Sequence, residues 1–199
     1  LGEVQGKPDG MFVEPSERQS AAYREFWAKL NRGEFQSAEY KRLGKGGKEI
    51  WILASYNPIL NDTGKPFKVV KFATDVSEQK LKTANFAGQI EAIGKSQAVI
   101  EFDMNGNVLD ANQNFLTTLG YSLGDIKGKH HRMFVTPAER ESEPYRAFWA
   151  ALNRGEFQSG EYRRIAKSGQ DIWIQASYNP IRDLNGKPCK VVKYASDTT

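Results

Sequence analysis

Cysteine, histidine and long hydrophobic runs are nearly absent from this sequence. The single cysteine, Cys189, has no second cysteine with which to form an intrachain disulfide, which is typical of a reducing compartment such as the cytoplasm. No run of about 18 apolar residues occurs, so the sequence predicts neither a membrane span nor a signal peptide. The two histidines, His130 and His131, are adjacent. Adjacent side chains point apart, so we do not expect them to chelate one metal.

Neither sign of charge dominates. The 28 basic and 24 acidic side chains leave a net charge of +4. Lysines recur in residues 65–71 and 187–193, but at too low a density for a nucleic-acid-binding surface, so no nucleic-acid partner is predicted. Apolar residues make up 39% of the chain, which is enough to form the cores of two domains.

The sequence contains one unit twice. Residues 1–77 and 123–199 align without a gap at an offset of 122, and 47 of the 77 positions are identical. Shared propensity does not produce such similarity, so we infer a duplication. Residues 84–122 have no counterpart before the first copy, and we therefore expect the first copy to be incomplete at its N-terminus, with Leu1 not its native start.

The opening of the second copy predicts two short strands and a helix. Residues 98–102 and 107–110 are the strands, joined by the Asn-Gly turn at 105–106. Either Asp110 or Asn112 is expected to cap the short helix that follows. Because the first copy lacks this opening, its last strand is predicted to have an unpaired edge.

A longer helix and three strands complete the repeat. The helix begins after Ser142 and ends at Gly155, and its apolar residues have the spacing of one helical face: Tyr145, Phe148, Trp149 and Leu152. A meander of three strands follows, over residues 156–166, 170–182 and 187–197. The predicted fold is α+β, with a five-stranded antiparallel sheet and short helices on one face.

Several motifs in this order resemble those of PAS domains: GYSLGDIKGK after ANQNFLTTL, then KSGQDIWI, NPIRDLNGK and VVKYASDTT. The resemblance is to the tandem PAS domains of methyl-accepting chemotaxis proteins, as in aerotaxis receptors and biofilm-dispersion regulators. It implies a first PAS domain at 1–77, a helical linker at 78–95 and a second PAS domain at 96–199.

The resemblance also implies a function. We expect a sensory input module that passes a ligand- or redox-dependent change through exit helices to an output domain. The expected partners are a second copy of the chain, the downstream signalling domain and chemotaxis coupling proteins. Two alternatives stay open: a ligand-free dimerisation or interaction module, and an input to a histidine kinase or a diguanylate cyclase. Neither copy contains a nucleophile paired with a base, so no enzymatic activity is expected.

The ligand is not specified by the sequence. PAS domains share an architecture and bind haem, flavin, small metabolites or nothing. Haem in the second domain, held by His130 or His131, is one hypothesis, and a solvated or hydrogen-bonded loop histidine is the other. FAD is less favoured, because the signatures of flavin-binding PAS domains are missing. The candidate cofactor-contacting residues are His130, His131, Trp149, Tyr162, Ile174 and Tyr178.

The linker is predicted to carry the signal. Asp75 followed by Glu78 has the spacing of a capping box, and the helix is expected to end before Gly94. In the PAS family an aspartate and a hydroxyl residue after the last strand couple the sheet to the helix, which here implies Asp75 and Asp197. The helix either packs on its own domain or pairs with its twin in a dimer.

Strand alternation assigns two tryptophans to an outer surface. The apolar residues of 172–179 should face the helices, which leaves Trp173 and its counterpart Trp51 on the other face of each sheet. An exposed tryptophan there favours an interface. In the last strand, one alternation places Lys193 in the interior and the opposite one places it outside, and both remain open.

Overall fold

The computed structural model describes residues 1–199, which form two compact units, Leu1–Ala87 and Gly88–Thr199. Each unit combines one antiparallel sheet with helices, which confirms the predicted α+β class. No helix combines the length and the apolarity needed to cross a membrane.

The first unit has a three-stranded sheet in the order β1-β2-β3. Its elements are a 3-10 turn at Asp9–Phe12, α1 (Pro15–Arg18), α2 (Ala21–Asn31), β1 (Gln36–Leu43), β2 (Glu49–Leu60) and β3 (Pro66–Asp75). Strand β3 pairs with β2 alone, so its other edge carries no strand, as predicted. The core is small, and its buried residues are Leu30, Ala54 and Tyr56.

The helix α3 (Ser77–Ser96) follows β3. It begins two residues after Asp75, whose carboxylate accepts a hydrogen bond from the Ser77 amide at 2.9 Å, and it continues through Gly94. The predicted capping box and the predicted end before Gly94 are therefore wrong, because Gly94 keeps helical geometry inside the last turn. No residue of α3 is buried.

The second unit has a five-stranded sheet in the order β5-β4-β8-β7-β6. Its strands are β4 (Ala98–Asp103), β5 (Val108–Ala111), β6 (Gln158–Ile165), β7 (Asp171–Arg182) and β8 (Pro188–Asp197). Its helices are α4 (Gln113–Leu119), α5 (Leu123–Ile126), a 3-10 turn at His131–Phe134, α6 (Pro137–Arg140) and α7 (Glu143–Asn153).

Local signals in the sequence explain the opening elements. Asp103 accepts hydrogen bonds from the amides of Asn105 and Asn107, and Gly106 between them has a φ of 84°, the left-handed conformation that a glycine adopts at little cost. Asn112, one of the two predicted caps, accepts from the Phe115 amide at 3.0 Å and begins α4.

Helix α7 packs on the sheet through its apolar face. The Ser142 hydroxyl accepts from the Tyr145 amide at 3.2 Å and caps the helix. Leu152 is completely buried, as are Ile100 and Phe102 of β4. Burying an aliphatic or aromatic side chain of this size stabilises the fold by about 1.5–3 kcal/mol, so this layer contributes substantially to the stability of the unit.

Strand β8 settles the two possible alternations. Lys193 lies in the interior, 2% exposed, with its Nζ over the rings of Phe115 and Tyr178 at 5.5 and 5.1 Å from their centroids. Its neighbours Val191 and Val192 are also buried. Both faces of this central strand are therefore covered.

Candidate functional site

His131 is the centre of a buried polar network in the second unit. Its Nδ1 lies 2.9 Å from the Tyr145 hydroxyl and its Nε2 lies 3.1 Å from the Tyr178 hydroxyl. The guanidinium of Arg164 donates to the same Tyr178 oxygen at 3.1 Å. The main chain fixes the position of His131, because its amide donates to the Gly106 carbonyl of the β4–β5 hairpin at 2.8 Å.

The network is rich in basic groups. Burial lowers the pKa of His131 well below 6.5, and the positive charges of Arg164 and Lys193 lower it further. Burial, followed by Arg164, likewise lowers the pKa of Lys193 well below its usual range. The carboxylate in contact is that of Glu139, 3.3 Å from Arg164 and partly exposed. His131 is therefore held as a neutral hydrogen-bonding group.

The structure brings five of the six candidate residues into one core and separates the sixth. The ring of Phe148 packs edge-on against Tyr178 and Tyr162, with centroid distances of 4.9 and 6.1 Å. The rings of His131 and Trp149 are 5.5 Å apart, and Ile174 is buried in the same cluster. His130 is outside this buried cluster but lies near Trp149, with centroids 6.0 Å apart.

This packing does not fit axial haem ligation by His131. Both of its ring nitrogens are engaged by tyrosine hydroxyls, so binding iron would require the loss of at least one hydrogen bond in the core. His130 accepts a hydrogen bond from the Arg132 amide through Nδ1 at 3.0 Å, which leaves Nε2 as its protonated nitrogen when the ring is neutral.

The first unit repeats only part of the network, because the Tyr56 hydroxyl has no hydrogen-bond partner, whereas its counterpart Tyr178 has two. Asp9 stands at the position equivalent to His131, and the Tyr23 hydroxyl donates to its carboxylate at 3.2 Å. Arg42 is buried beside them, and Lys71 lies over the Tyr56 ring at 5.0 Å. The first unit therefore has an acid where the second has an imidazole.

A second site joins each sheet to the segment that follows it. Ser77, the first residue of α3, accepts a hydrogen bond from the Trp51 amide of β2 through its hydroxyl at 2.9 Å, and the Val76 amide donates to the Trp51 carbonyl at 2.8 Å. Asp75 orients this turn by accepting from the Ser77 amide. Three consecutive residues thus tie the end of β3 and the start of α3 to the middle strand.

The second unit has the same junction. The Trp173 amide donates to the Thr199 hydroxyl at 3.0 Å, the Thr198 amide donates to the Trp173 carbonyl at 2.9 Å, and Asp197 accepts from the Thr199 amide at 2.9 Å. Four hydrogen-bonding positions are therefore repeated in the two copies, although Ser77 is replaced by a threonine.

The two tryptophan side chains lie on the outer sheet faces, as predicted. Trp173 is 44% exposed. Trp51 is half-buried, because Lys80 of α3 places its ammonium group over the indole at 4.4 Å. Whether either indole forms an interface stays a prediction.

Comparison with known proteins identifies the family. The profile of the PAS fold family matches residues 2–73 and 108–195, so the chain belongs to the PAS family. A crystal structure of a PAS domain from Colwellia psychrerythraea superposes with a TM-score of 0.50 at 25% identity, over 57% of this chain and 97% of that domain.

Two curated relatives are signalling proteins. The biofilm dispersion protein BdlA of Pseudomonas aeruginosa is 42% identical over 99% of this chain and 47% of its own length. The aerotaxis receptor of Escherichia coli K12 is 28% identical over 40% of this chain and 15% of its own length. The chain thus spans about half of the first relative and less of the second. The resemblance to chemotaxis-type PAS proteins is confirmed.

Proposed function

We propose that this chain is the sensory input module of a chemotaxis-type signal transducer in the cytoplasm. A ligand- or redox-dependent change in a PAS core moves the sheet, and the exit helices transmit the movement to a downstream signalling domain and its chemotaxis coupling proteins. The chain itself carries out no catalysis in this proposal.

The junction at Trp51, Asp75 and Ser77 is the observation that carries the proposal. It fixes the start of α3 to the central part of the sheet through main-chain and hydroxyl groups rather than through a flexible loop. A displacement of β2 therefore changes the position of the first helical turn. Its repetition at Trp173 and Thr199 gives the second unit an equivalent output point.

Two observations on the full-length protein test the proposal. The sequence after Thr199 should contain a long helical hairpin with heptad periodicity; a kinase or a cyclase domain there would replace the transducer with one of the alternatives. In a swimming assay, Ser77→Ala should abolish the behavioural response, whereas Ser37→Ala, in the β1 strand and away from the junction, should not. A full response from Ser77→Ala would contradict the proposal.

The surface of α3 favours a dimeric arrangement. Three large apolar side chains on this helix are more than half exposed: Leu81, Phe86 and Ile90. Phe86 and Ile90 are four residues apart and so lie on one side of the helix, whereas Leu81 lies on the opposite side from Ile90. We propose that Phe86 and Ile90 pair with the same helix of a second copy, which also supports the alternative of a dimerisation module. Sedimentation should show a dimer for the parent chain and for Glu78→Gln, and a weakened dimer for Phe86→Ser. A parent chain that remains monomeric would contradict this pairing.

A further inference from the structure

Three arginines and one histidine surround a groove on the surface of the second unit. The groove has a volume of about 480 Å³ and lies between the β4–β5 turn, the His131–Phe134 turn and one side of α7. Its basic residues are His130, Arg132, Arg140 and Arg146. This volume is in the range of small-molecule sites.

The groove adjoins the buried network. Trp149 and Tyr145 line the groove, and both also contact His131: the centroids of the Trp149 and His131 rings are 5.5 Å apart, and the Tyr145 hydroxyl lies 2.9 Å from His131 Nδ1. His131 itself is completely buried and does not line the groove. A ligand in the groove would therefore contact two residues that also pack against His131.

The guanidinium groups in the groove have no carboxylate partner. None of Arg132, Arg140 and Arg146 takes part in an ion pair, although most other arginines of the second unit do. Two of them are held by main-chain carbonyls: Arg140 donates to Val135 at 3.1 Å and Arg146 donates to Glu141 at 3.0 Å. The Glu141 side chain is the one acid that lines the groove, so positive charge is in excess there.

We infer that this groove binds a small oxyanion with two or more negative charges, a phosphate compound or a dicarboxylate. Guanidinium groups present paired N–H donors that match the oxygens of both. The ring of His130 lies at the edge of the groove, where its Nδ1 accepts from the Arg132 amide and the Asn105 main chain is a further hydrogen-bond partner. The inference deepens the proposed function, since it names a ligand class for the second unit.

The first unit serves as an internal comparison. Its equivalents of Arg140 and Arg146 are Arg18 and Arg24, and Arg24 donates to the Gln19 carbonyl at 3.1 Å, as Arg146 does to Glu141. The positions of His130 and Arg132, however, are occupied by a proline and a glycine. The first unit therefore lacks half of the basic set, and one oxyanion should bind per chain.

The two histidines make the binding observable by NMR. Burial lowers the pKa of His130, and the charge of Arg132 lowers it further. A bound oxyanion offsets that charge, so the pKa of His130 should rise and its ring signals should shift with saturation. His131 is completely buried and does not line the groove, so its signals should shift less than those of His130 and serve as the comparison within the same spectrum.

The experiment titrates the 199-residue chain with pyrophosphate, adenosine monophosphate and succinate, each against sodium chloride at matched ionic strength. We expect saturable binding of at least one of the three, and the response to phosphate compounds or to succinate identifies the class. Arg132→Gln and Arg146→Gln should weaken binding on the order of tenfold or more, because each removes a charge-assisted donor, whereas Arg24→Gln should not.

Two results would overturn the inference: no saturable shift of the His130 signals with any probe, or an equal loss of binding in Arg24→Gln and Arg146→Gln. The assay needs no output domain, so its failure would leave the swimming assay of the junction unaffected.

Discussion

Asp9 and His131 occupy equivalent positions in the two units, and each is hydrogen-bonded to the hydroxyl of a tyrosine 14 residues further along the chain. In the first unit the acid lies near Lys71 and Arg42 and opposes their charge. In the second unit the same place holds a neutral imidazole. The two units thus carry different groups at this position, and only the second has a histidine there.

Acidification is expected to destabilise the second unit through His131. Burial, then Arg164, Lys193 and His130, lowers its folded pKa well below 6.5, the value of an unperturbed histidine. Below pH 6.5 the unfolded chain therefore binds a proton that the folded chain does not, and the free energy of unfolding falls as the pH falls. The slope from this group is at most about 1.4 kcal/mol per pH unit.

Denaturation of the parent and of His131→Gln between about pH 5 and pH 7.5 measures this effect. Glutamine keeps a donor and an acceptor for the two tyrosines but does not titrate. The parent should lose more stability than the variant on acidification. Parallel curves would show that His131 does not carry the dependence.

Local patterns in the sequence predicted much of the fold. The Asn-Gly turn, the Asn112 and Ser142 caps and the apolar face of α7 are decided by neighbouring residues, so they could be read directly. The start of α3 was predicted to within one residue, but the hydrogen bond of Ser77 to the sheet, rather than a capping box, fixes it, and the predicted end before Gly94 was wrong. That bond depends on a strand distant in sequence.

The buried basic groups were the main feature that the sequence did not settle. Arg164 and Lys193 are of residue types that usually lie on the surface. Their burial is possible because a tyrosine hydroxyl and aromatic rings from other elements contact their charged groups. One signal was present: both have identical counterparts, Arg42 and Lys71, in the other copy. The groove was missed because its arginines come from separate turns and helices.

The open edge of β3 is expected to make the first unit the more dynamic one. Val191 and Val192 of β8 are 0% and 6% exposed beneath the pairing with β4, whereas their counterparts Val69 and Val70 are only half-buried. Hydrogen exchange should therefore be faster in β3 than in β8. Equal protection of the two strands would contradict this prediction.

The outer tryptophans are expected to contribute to association. Burying an indole at an interface stabilises a complex by roughly 2–3 kcal/mol, a value typical of hot-spot residues. Trp173→Ser should therefore reduce dimer formation, and Trp51→Ser should do so less, because Lys80 already covers part of that indole. Sedimentation measures both. Profiles that match the parent for both variants would exclude the interface.

The coupling of sheet to helix is tested most directly by hydrogen exchange at the first junction. Ser77→Ala removes the acceptor of the Trp51 amide, whereas Thr83→Ala, the control, removes a hydroxyl that donates within α3, to the Gln79 carbonyl. In Ser77→Ala, exchange should accelerate at the Trp51 amide and in the first turns of α3, with a loss of protection of about 1 kcal/mol. Thr83→Ala should leave the Trp51 amide protected. Unchanged protection of that amide in Ser77→Ala would show that the sheet and the exit helix are not coupled there.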